Sequence, residues 1–557
     1  MKEKRIVIVG GVAGGATCAA RLRRLDENAS IVVLDRGPYV SYANCGLPYY
    51  VGDVIKAESD LLLATPKLFR DRFQVDVRTR HEVVAIDREA RTVSVVELES
   101  GLEYREPYDA MVLSPGASPI VPPWPGAHLP GIFTLRSIPD SRAIREWIET
   151  RNARNAVVVG AGFIGLEMAE NLAHRGLRVT VAELLPQVLP PLDPEIAAYA
   201  QNRLESNGVI VRLGDGVAGF EPDGNRGLRV RTQSGAALNA DIVILSIGVR
   251  PDTKLAAAAG LQLGERGGIR VDSQMRTSDP RIWAVGDAVE VKNRVTGRYE
   301  LIPLAGPANR QGRIAADAIC GRGSHFDGSL GTAICGAFGL TVALTGATEK
   351  ALQKAGITDY QAVYLHPNHH SGYYPGAKPI HMKLVFRASD GRVLGAEAAG
   401  EADVARRIDV IAAAIQMNAT VYDLEELELC YAPQFGAAKD PVNMAGMIAG
   451  NVLRGDVALA PWSALQSHEA YLIDVRDPDE YRADTIDGAV NIPLDQLRSR
   501  LNELPRDREI WVTCMVGQRG YYACRILTQH GFRARNLSGG YRTYEVIEPT
   551  VQELVAK

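Results

Sequence analysis

Two separate stretches of this chain carry the same local design, and it restricts the fold more than any other feature. One is RIVIVGGVAGGATCAARL, from Arg5, and the other is NAVVVGAGFIGLEMAENLA, from Asn155. In each, a short β-branched strand enters a glycine-rich turn that opens a helix, the start of a dinucleotide-binding βαβ unit. Glycines let the backbone turn sharply and approach a pyrophosphate. The helix N-terminus offers that anion free N–H groups and the positive end of its dipole. Each unit runs on into a strand ending in an acid, IVVLDRG with Asp35 and RVTVAELL with Glu183. Both acids lie roughly 20 residues past the turn, where a carboxylate accepts hydrogen bonds from a ribose. The second turn, Gly160-Ala-Gly162-Phe-Ile-Gly165, is complete. The first has Val12 where its second glycine is expected, with Gly10, Gly14 and Gly15 around it. Two copies predict two bound nucleotides.

At 557 residues the chain is too long for one core, and about three or four domains are expected. A net charge of -4 leaves no basic excess for a nucleic acid. Seven cysteines without a Cys-x-x-Cys pair indicate neither a disulfide framework nor zinc, and fit a reducing cytoplasm. The N-terminus reads as strand, turn and helix rather than as a signal peptide, and no apolar stretch is long enough to span a membrane. His366, His369 and His370 in HPNHHSGYY lack partner carboxylates at ligand spacing, so a solvated loop is expected there and no metal.

Four further stretches carry chemistry: SYANCGLPYY, with one thiol, Cys45, between Asn44 and Gly46; WAVGDAVE; YAPQFGAAKDPVNMAG; and CMVGQRG, with Cys514 where a strand gives way to a helix. Together with the two turns they resemble the flavoprotein disulfide reductases with a rhodanese domain fused at the C-terminus. The resemblance is to the coenzyme A-disulfide reductase–rhodanese fusions, also described as NADH-dependent coenzyme A persulfide or polysulfide reductases, and covers nearly the whole chain. It implies an α/β fold of two dinucleotide-binding (Rossmann-like) domains, an α+β dimerisation domain and a rhodanese domain. The expected boundaries are 1–118 with 249–326 for FAD, 119–248 for NAD, 327–448 for dimerisation, 449–460 for a linker and 461–557 for rhodanese.

The same resemblance assigns FAD to Gly10, Val12, Ala13, Gly14, Gly15 and Asp35, with Gly286 and Asp287 of WAVGDA, Pro307, and Gly116 of LSPGASP. It assigns the nicotinamide cofactor to Gly160, Gly162, Gly165 and Glu183, with Gly248 in LSIGVRPD. LSPGASP and LSIGVRPD look like the crossings between the two nucleotide domains. Glu183 is followed by Leu184 and Leu185, with no cation to meet a 2′-phosphate, so NADH is expected over NADPH. Related dithiol reductases carry two cysteines beside the flavin. Here Cys45 stands alone, able to form a mixed disulfide, a persulfide or a sulfenic acid. To attack sulfur it must be a thiolate, and a helix N-terminus or nearby donors are expected to lower its pKa. Ser41 and Asn44 complete its motif. The first turn has Ala13 and no histidine, against a peroxidase.

Tyr431, and Tyr373 or Tyr374, are implied to reach the active-site sulfur from the other subunit of a homodimer. Arg21, Arg24 and Arg70 are implied to hold the phosphorylated end of coenzyme A. In CMVGQRG a short loop from Cys514 to Arg519 suits a sulfur atom, and its converging N–H groups would stabilise a thiolate or persulfide loaded from thiosulfate or polysulfide. Asp484 stands where that family carries a histidine. Cys18, Cys320, Cys335 and Cys524 read as core, and Cys430 less clearly so. The expected activity is NADH-driven reduction of coenzyme A disulfide, persulfide or polysulfide through Cys45, coupled to sulfane-sulfur handling at Cys514. The alternatives are an NADH oxidase reducing oxygen through a sulfenic acid at Cys45, and a sulfur carrier whose flavin half is a scaffold.

Overall fold

A computed structural model describes residues 3–224, 227–467 and 470–547. The chain divides into two compact units, residues 1–186 with 208–331, and residues 187–207 with 332 onward.

The first unit is built on two parallel five-stranded sheets. One has the order Ile282–Ala284, Ala110–Leu113, Arg5–Val9, Ser30–Asp35, Asp76–Thr79. The other runs Ile210–Arg212, Arg178–Ala182, Asn155–Val159, Ile242–Leu245, Ile132–Phe133. Their central strands, Arg5–Val9 and Asn155–Val159, are apolar and buried in every residue after the first, as expected where helices cover both faces. In each sheet the first strand of its glycine motif lies centrally, pairing in register with a strand on either side, Ile6 with Ile31 and Ala110, Ala156 with Val179 and Ile242. The order therefore reverses at the strand whose end carries the glycine turn, the position at which open sheets bind ligands. Ala117–Pro119 and Val249–Pro251, the two expected crossings, pair antiparallel.

The second unit contains an antiparallel sheet, Ala333–Ala337, Leu340–Gly346, Val393–Gly400, Ile380–Phe386, Gln361–Leu365, and a parallel one, Ala458–Leu459, Ala534–Asn536, Ile510–Thr513, Tyr471–Asp474, Val490–Asn491. Its boundaries depart from the expected ones in two places. Residues 449–453, read as linker, continue the helix Pro441–Leu453, which starts on an Asp440–Asn443 capping box and stops before Gly455 at φ +76°. Residues 187–207, expected in a nucleotide domain, join the antiparallel sheet instead. The cause is a buried charge cluster. The Asp193 carboxylate accepts from the Glu349 and Lys350 N–H groups and from Lys383 Nζ at 2.7 Å, and Lys383 also pairs with Glu195 and Glu349. A lysine with 1% of its side chain exposed must be paired, and these partners fix the helix Pro194–Ser206 on the sheet.

His366 does not lie in a solvated loop. It ends the strand Gln361–Leu365, its Nδ1 2.9 Å from His381 Nδ1 and its Nε2 2.9 Å from Thr543 Oγ1, while His381 stacks on Tyr199. His370 is buried as well, and His369 bonds the Lys378 backbone. No group of histidines, cysteines and carboxylates placed to hold a metal occurs among the described residues. Burial first, then the neighbouring imidazole and Arg542, hold His366 down to about 3; burial and Arg542 hold His381 to about 4. Both folded values lie below the ordinary ~6.5 of an unfolded histidine. As pH falls the unfolded chain takes up protons first, so this contribution is intact above ~6.5 and is lost between there and about 3. Replacing both, His366→Asn with His381→Gln, should flatten the fall in thermal midpoint between pH 7 and 5. An unchanged slope would mean that the pair does not titrate as argued.

Candidate active sites

Both glycine turns in the first unit are shaped for a close ligand. Gly10 has φ +93°, and a Cβ there would lie 2.1 Å from Ser114 O; one on Gly15 would lie 1.9 Å from Gly10 O. In the second turn Gly160 and Gly165 are equally hemmed in, at 2.6 Å from Ser246 O and 2.0 Å from Gly160 O, but a Cβ on Gly162 would meet nothing. The hemmed glycines make the turn, and the open one leaves a bare backbone facing the space a pyrophosphate requires. Asp35 accepts from Gly11 N–H and Gly37 N–H at 2.7 and 2.8 Å, and Glu183 from Ala161 N–H and Leu185 N–H at 2.7 and 2.9 Å. Each acid is thus oriented by backbone amides and keeps lone pairs for a ribose. Val12 stands at the N-cap of the first helix, Ala13–Leu25, so the free N–H groups there meet no capping side chain.

Asp287 follows Gly286, whose N–H is held by Gln311 Oε1. Its carboxyl makes no hydrogen bond among the described residues, and burial lifts its pKa against the nearby charge of Arg136. A half-buried carboxylate with unused lone pairs suits the hydroxyls of a ribityl chain. Pro307 lies near the start of the helix Ala305–Ile319, whose Gly312 meets the first turn at Gly14 O so closely that a Cβ would be 2.3 Å away.

Cys45 lies in a short turn, Asn44–Gly46, that leads into the five-residue helix Leu47–Val51. Solvent reaches it, whereas Cys18 is buried and Cys320 is partly covered. Its pKa departs from expectation. Burial, then the carboxylates of Glu167 and Asp287, push the thiol up rather than down. One helical turn supplies too little dipole to offset them. Glu167, on the helix Phe163–His174, is itself lifted to about 7, by burial and by Glu170, against a bond from the Tyr49 hydroxyl at 3.3 Å. Oriented to satisfy both neighbours, the Asn44 amide donates to Tyr42 O and accepts from Arg136. Ser41 closes the approach to this turn with φ +46°, its N–H donating to Gly11 O.

In the second unit, Cys514 follows the strand Ile510–Thr513 and precedes the helix Gln518–Gln529. Its Sγ accepts from Gly520 N–H at 3.2 Å, and the residue is 1% exposed. Arg519 does close the loop, but its guanidinium is held by both oxygens of Glu480, at 2.6 and 2.7 Å. Asp484 uses its carbonyl to accept from buried Arg476. Elsewhere in this unit Tyr373 and Tyr431, both exposed, share a hydrogen bond of 2.9 Å between their hydroxyls. Tyr374 packs edge-on against His370 instead. Cys430 is exposed beside this pair.

The family model described as pyridine nucleotide-disulphide oxidoreductase matches residues 4–312. The chain belongs to that family. The dimerisation domain of the same oxidoreductases matches residues 332–440, and a rhodanese-like domain matches 461–546. A coenzyme A disulfide reductase of Staphylococcus epidermidis is 36% identical over 443 residues, 79% of this chain and 99% of that one. Among solved structures, reduced Bacillus anthracis CoADR-RHD is 46% identical with a TM-score of 0.96, over 99% of both chains. An NAD-dependent persulfide reductase from A. fulgidus is 37% identical with a TM-score of 0.90, over 97% of this chain and 100% of that one. As a pyridine nucleotide-disulphide oxidoreductase the protein uses FAD and a nicotinamide cofactor, and the two turns fit them. No helix of the described residues is long and apolar enough to cross a membrane.

Three features of this oxidoreductase were not read from its sequence. Arg136 sits before a Ser137–Asp140 capping box and matches no motif, yet its charge acts on Asp35, Asp287 and Tyr42. Glu167 directly follows the second turn, two residues past Gly165, a spacing that was available as a signal. Arg21 is already engaged by buried Asp317 at 2.8 Å, while Arg24 and Arg70 are exposed on the helices Ala13–Leu25 and Pro66–Phe73. The cation to leave out of a phosphate site is the paired one.

Proposed function

We propose that this enzyme, as a homodimer, uses NADH to reduce coenzyme A disulfide, persulfide or polysulfide at Cys45, and that Cys514 handles the sulfane sulfur. The observation that carries the reading is a solvent-reached thiol set near the charges of Glu167 and Asp287, in a chain similar to a coenzyme A disulfide reductase and to a persulfide reductase. Bound by the first turn, Asp35 and Asp287, FAD supplies two-electron exchange between the nicotinamide and the sulfur of Cys45. The thiol must lose its proton before it attacks, and the carboxyl of Glu167, poised near neutrality, bears on that step through its charge: neutralising it removes a repulsion that holds the thiol protonated. The Cys45 thiolate then attacks one sulfur of the disulfide, the S–S bond breaks, and coenzyme A leaves as a thiol. Two electrons from NADH return Cys45 and the second coenzyme A to thiols. With a persulfide, Cys45 takes the outer sulfur, coenzyme A leaves, and reduction releases hydrogen sulfide.

Tyr373 and Tyr431 offer a proton to the leaving thiolate at the opposite subunit's site, and their shared hydrogen bond favours Tyr373 over Tyr374 for this role. Arg24 and Arg70, both exposed, are the cations for the phosphates of coenzyme A. Glu183, fixed by two amides, meets a 2′-hydroxyl and repels a 2′-phosphate. Incubated anaerobically with coenzyme A disulfide alone, the protein should gain one coenzyme A on the peptide holding Cys45. NADH should discharge it with a specificity constant at least about tenfold above that of NADPH, one unfavourable charge contact being worth ~1.4 kcal/mol. Absence of the adduct would overturn the substrate, and equal use of the two nucleotides would overturn the role of Glu183.

A further inference from the structure

The segment after the strand Ala534–Asn536 runs Leu537-Ser538-Gly539-Gly540-Tyr541-Arg542-Thr543, and its two glycines face opposite ways. A Cβ on Gly540 would lie 2.1 Å from Cys514 O and 2.8 Å from Gly517 N, within the sulfur loop. One on Gly539 would lie 2.0 Å from Thr543 Oγ1, 2.8 Å from Tyr364 Cβ and 3.1 Å from His366 Nε2, the last two at the end of the antiparallel sheet. The segment is therefore a thin layer with the sulfur loop on one side and the sheet on the other, and neither side has room for a side chain.

Hydrogen bonds tie it in both directions. Toward the loop, Tyr541 N–H donates to Cys514 O at 2.7 Å and Arg542 N–H to Met515 O at 3.0 Å. Toward the sheet, Tyr364 N–H donates to Ser538 Oγ at 2.9 Å, Ser538 Oγ donates back to Tyr364 O at 3.4 Å, and Thr543 Oγ1 meets His366 Nε2 at 2.9 Å. Behind His366 stand His381 and its stacked Tyr199, whose hydroxyl donates to Arg542 O. Tyr364 is anchored in turn, its hydroxyl donating to Glu195 of the buried charge cluster at 2.7 Å. The carbonyl of Cys514 is thus tied through this segment to the sheet, whereas its sulfur accepts from Gly520 N–H in the first turn of the helix Gln518–Gln529.

We propose that Thr543, Ser538 and His366 are positioning residues for Cys514, which set the sulfur loop from the antiparallel sheet as well as from the rhodanese domain. The proposal rests on the reading that Cys514 carries sulfur, but its geometry is testable apart from any sulfur substrate. In the full-length protein, Cys514 should resist iodoacetamide, since almost none of it is exposed, and alkylation is read at its own peptide by mass spectrometry. Thr543→Val keeps shape but removes the bond to His366, and Ser538→Ala removes both bonds to Tyr364. Each should raise the alkylation rate of Cys514 at least about tenfold, as expected when a closed thiol site opens locally by ~1.4 kcal/mol. Cys45, in the other unit, serves as an internal control and should not change.

Sulfur transfer through Cys514 should slow in the same variants, chiefly in kcat, because a more reachable thiol has lost its placement against Gly520 N–H. Thr543→Ser, which restores the hydroxyl, should rescue both readouts. A purely structural role would lower the thermal midpoint and leave Cys514 alkylation at wild-type rate below it, and that result in both variants would overturn the proposal. Accelerated alkylation without any change in sulfur chemistry would uphold the positioning and count instead against Cys514 as a sulfur carrier.

Discussion

Cys45→Ser should retain yellow FAD and accept electrons from NADH at the wild-type rate, and should lose reduction of disulfide, persulfide and polysulfide by at least about a thousandfold. A serine hydroxyl keeps the size of the side chain and nearly all its contacts, so nucleotide binding at the turns, Asp35 and Glu183 is untouched. Its oxygen is no nucleophile toward sulfur near neutral pH, and neither of the other thiols of the first unit is placed to deputise. Cys18 is fully buried with its pKa driven far up by that burial, and Cys320 is lifted by burial too. Stopped-flow bleaching of the flavin by NADH, followed by steady-state turnover with each sulfur substrate, separates the two half-reactions. Turnover within a few-fold of wild type would remove Cys45 from the mechanism. Failure to bleach would mean that the residue also supports nucleotide reduction, and the division of labour proposed above would need redrawing.

Cys514→Ser should give a different pattern. Reduction of preformed coenzyme A disulfide should continue at the wild-type rate, since the disulfide attacked by Cys45 needs nothing from the rhodanese domain. Reduction of polysulfide, or of sulfur delivered from a donor, should fall by about tenfold or more, because sulfur held on the same assembly acts at a high effective concentration. The asymmetry is the content of the prediction: loss of Cys45 stops both reactions, and loss of Cys514 stops one. Equal rates on every sulfur substrate would make the rhodanese domain a passenger. The pairing of Arg519 with Glu480 bears on the choice of donor in such an experiment, since a guanidinium so engaged offers little to a dianion such as thiosulfate.

The glycine turns, the acids that follow them, the lone thiol and the sulfur loop are all visible in the sequence because each is set by local chemistry: a φ that only glycine takes easily, a carboxylate at a fixed spacing, a cysteine between residues that do not build a core strand. What escaped is made by side chains meeting across long separations. Nothing around Arg136 predicts that it will share a cleft with Asp287, and nothing around Arg21 predicts its capture by Asp317. The expected fall in the pKa of Cys45 failed for the same reason. Burial does most to raise the thiol, and the opposing charges then come from Glu167 and Asp287, both more than a hundred residues away. His366 was misplaced because three histidines beside glycine and asparagine look solvated until a threonine from the C-terminal domain closes over one of them. The helix Pro194–Ser206 was placed in the nucleotide domain by its position between two strands of that sheet, whereas its buried acid, Asp193, answers to Lys383.

That last attachment has a consequence for biosynthesis. The strands on either side of this helix, Arg178–Ala182 and Ile210–Arg212, pair with each other, so they can join their sheet soon after they are made. The helix between them cannot reach its seat at that time. Ile196, Ala197, Ala200 and Leu204 are buried, and Lys383 and the strand Val393–Gly400 are synthesised nearly two hundred residues later. At translation rates of about 5–20 residues per second, the interval is roughly 10–40 s. Through that time an apolar stripe and an unpaired acid remain open on the nascent chain, which makes this short helix a handle for chaperones and a starting point for aggregation when translation stalls before the second unit is complete.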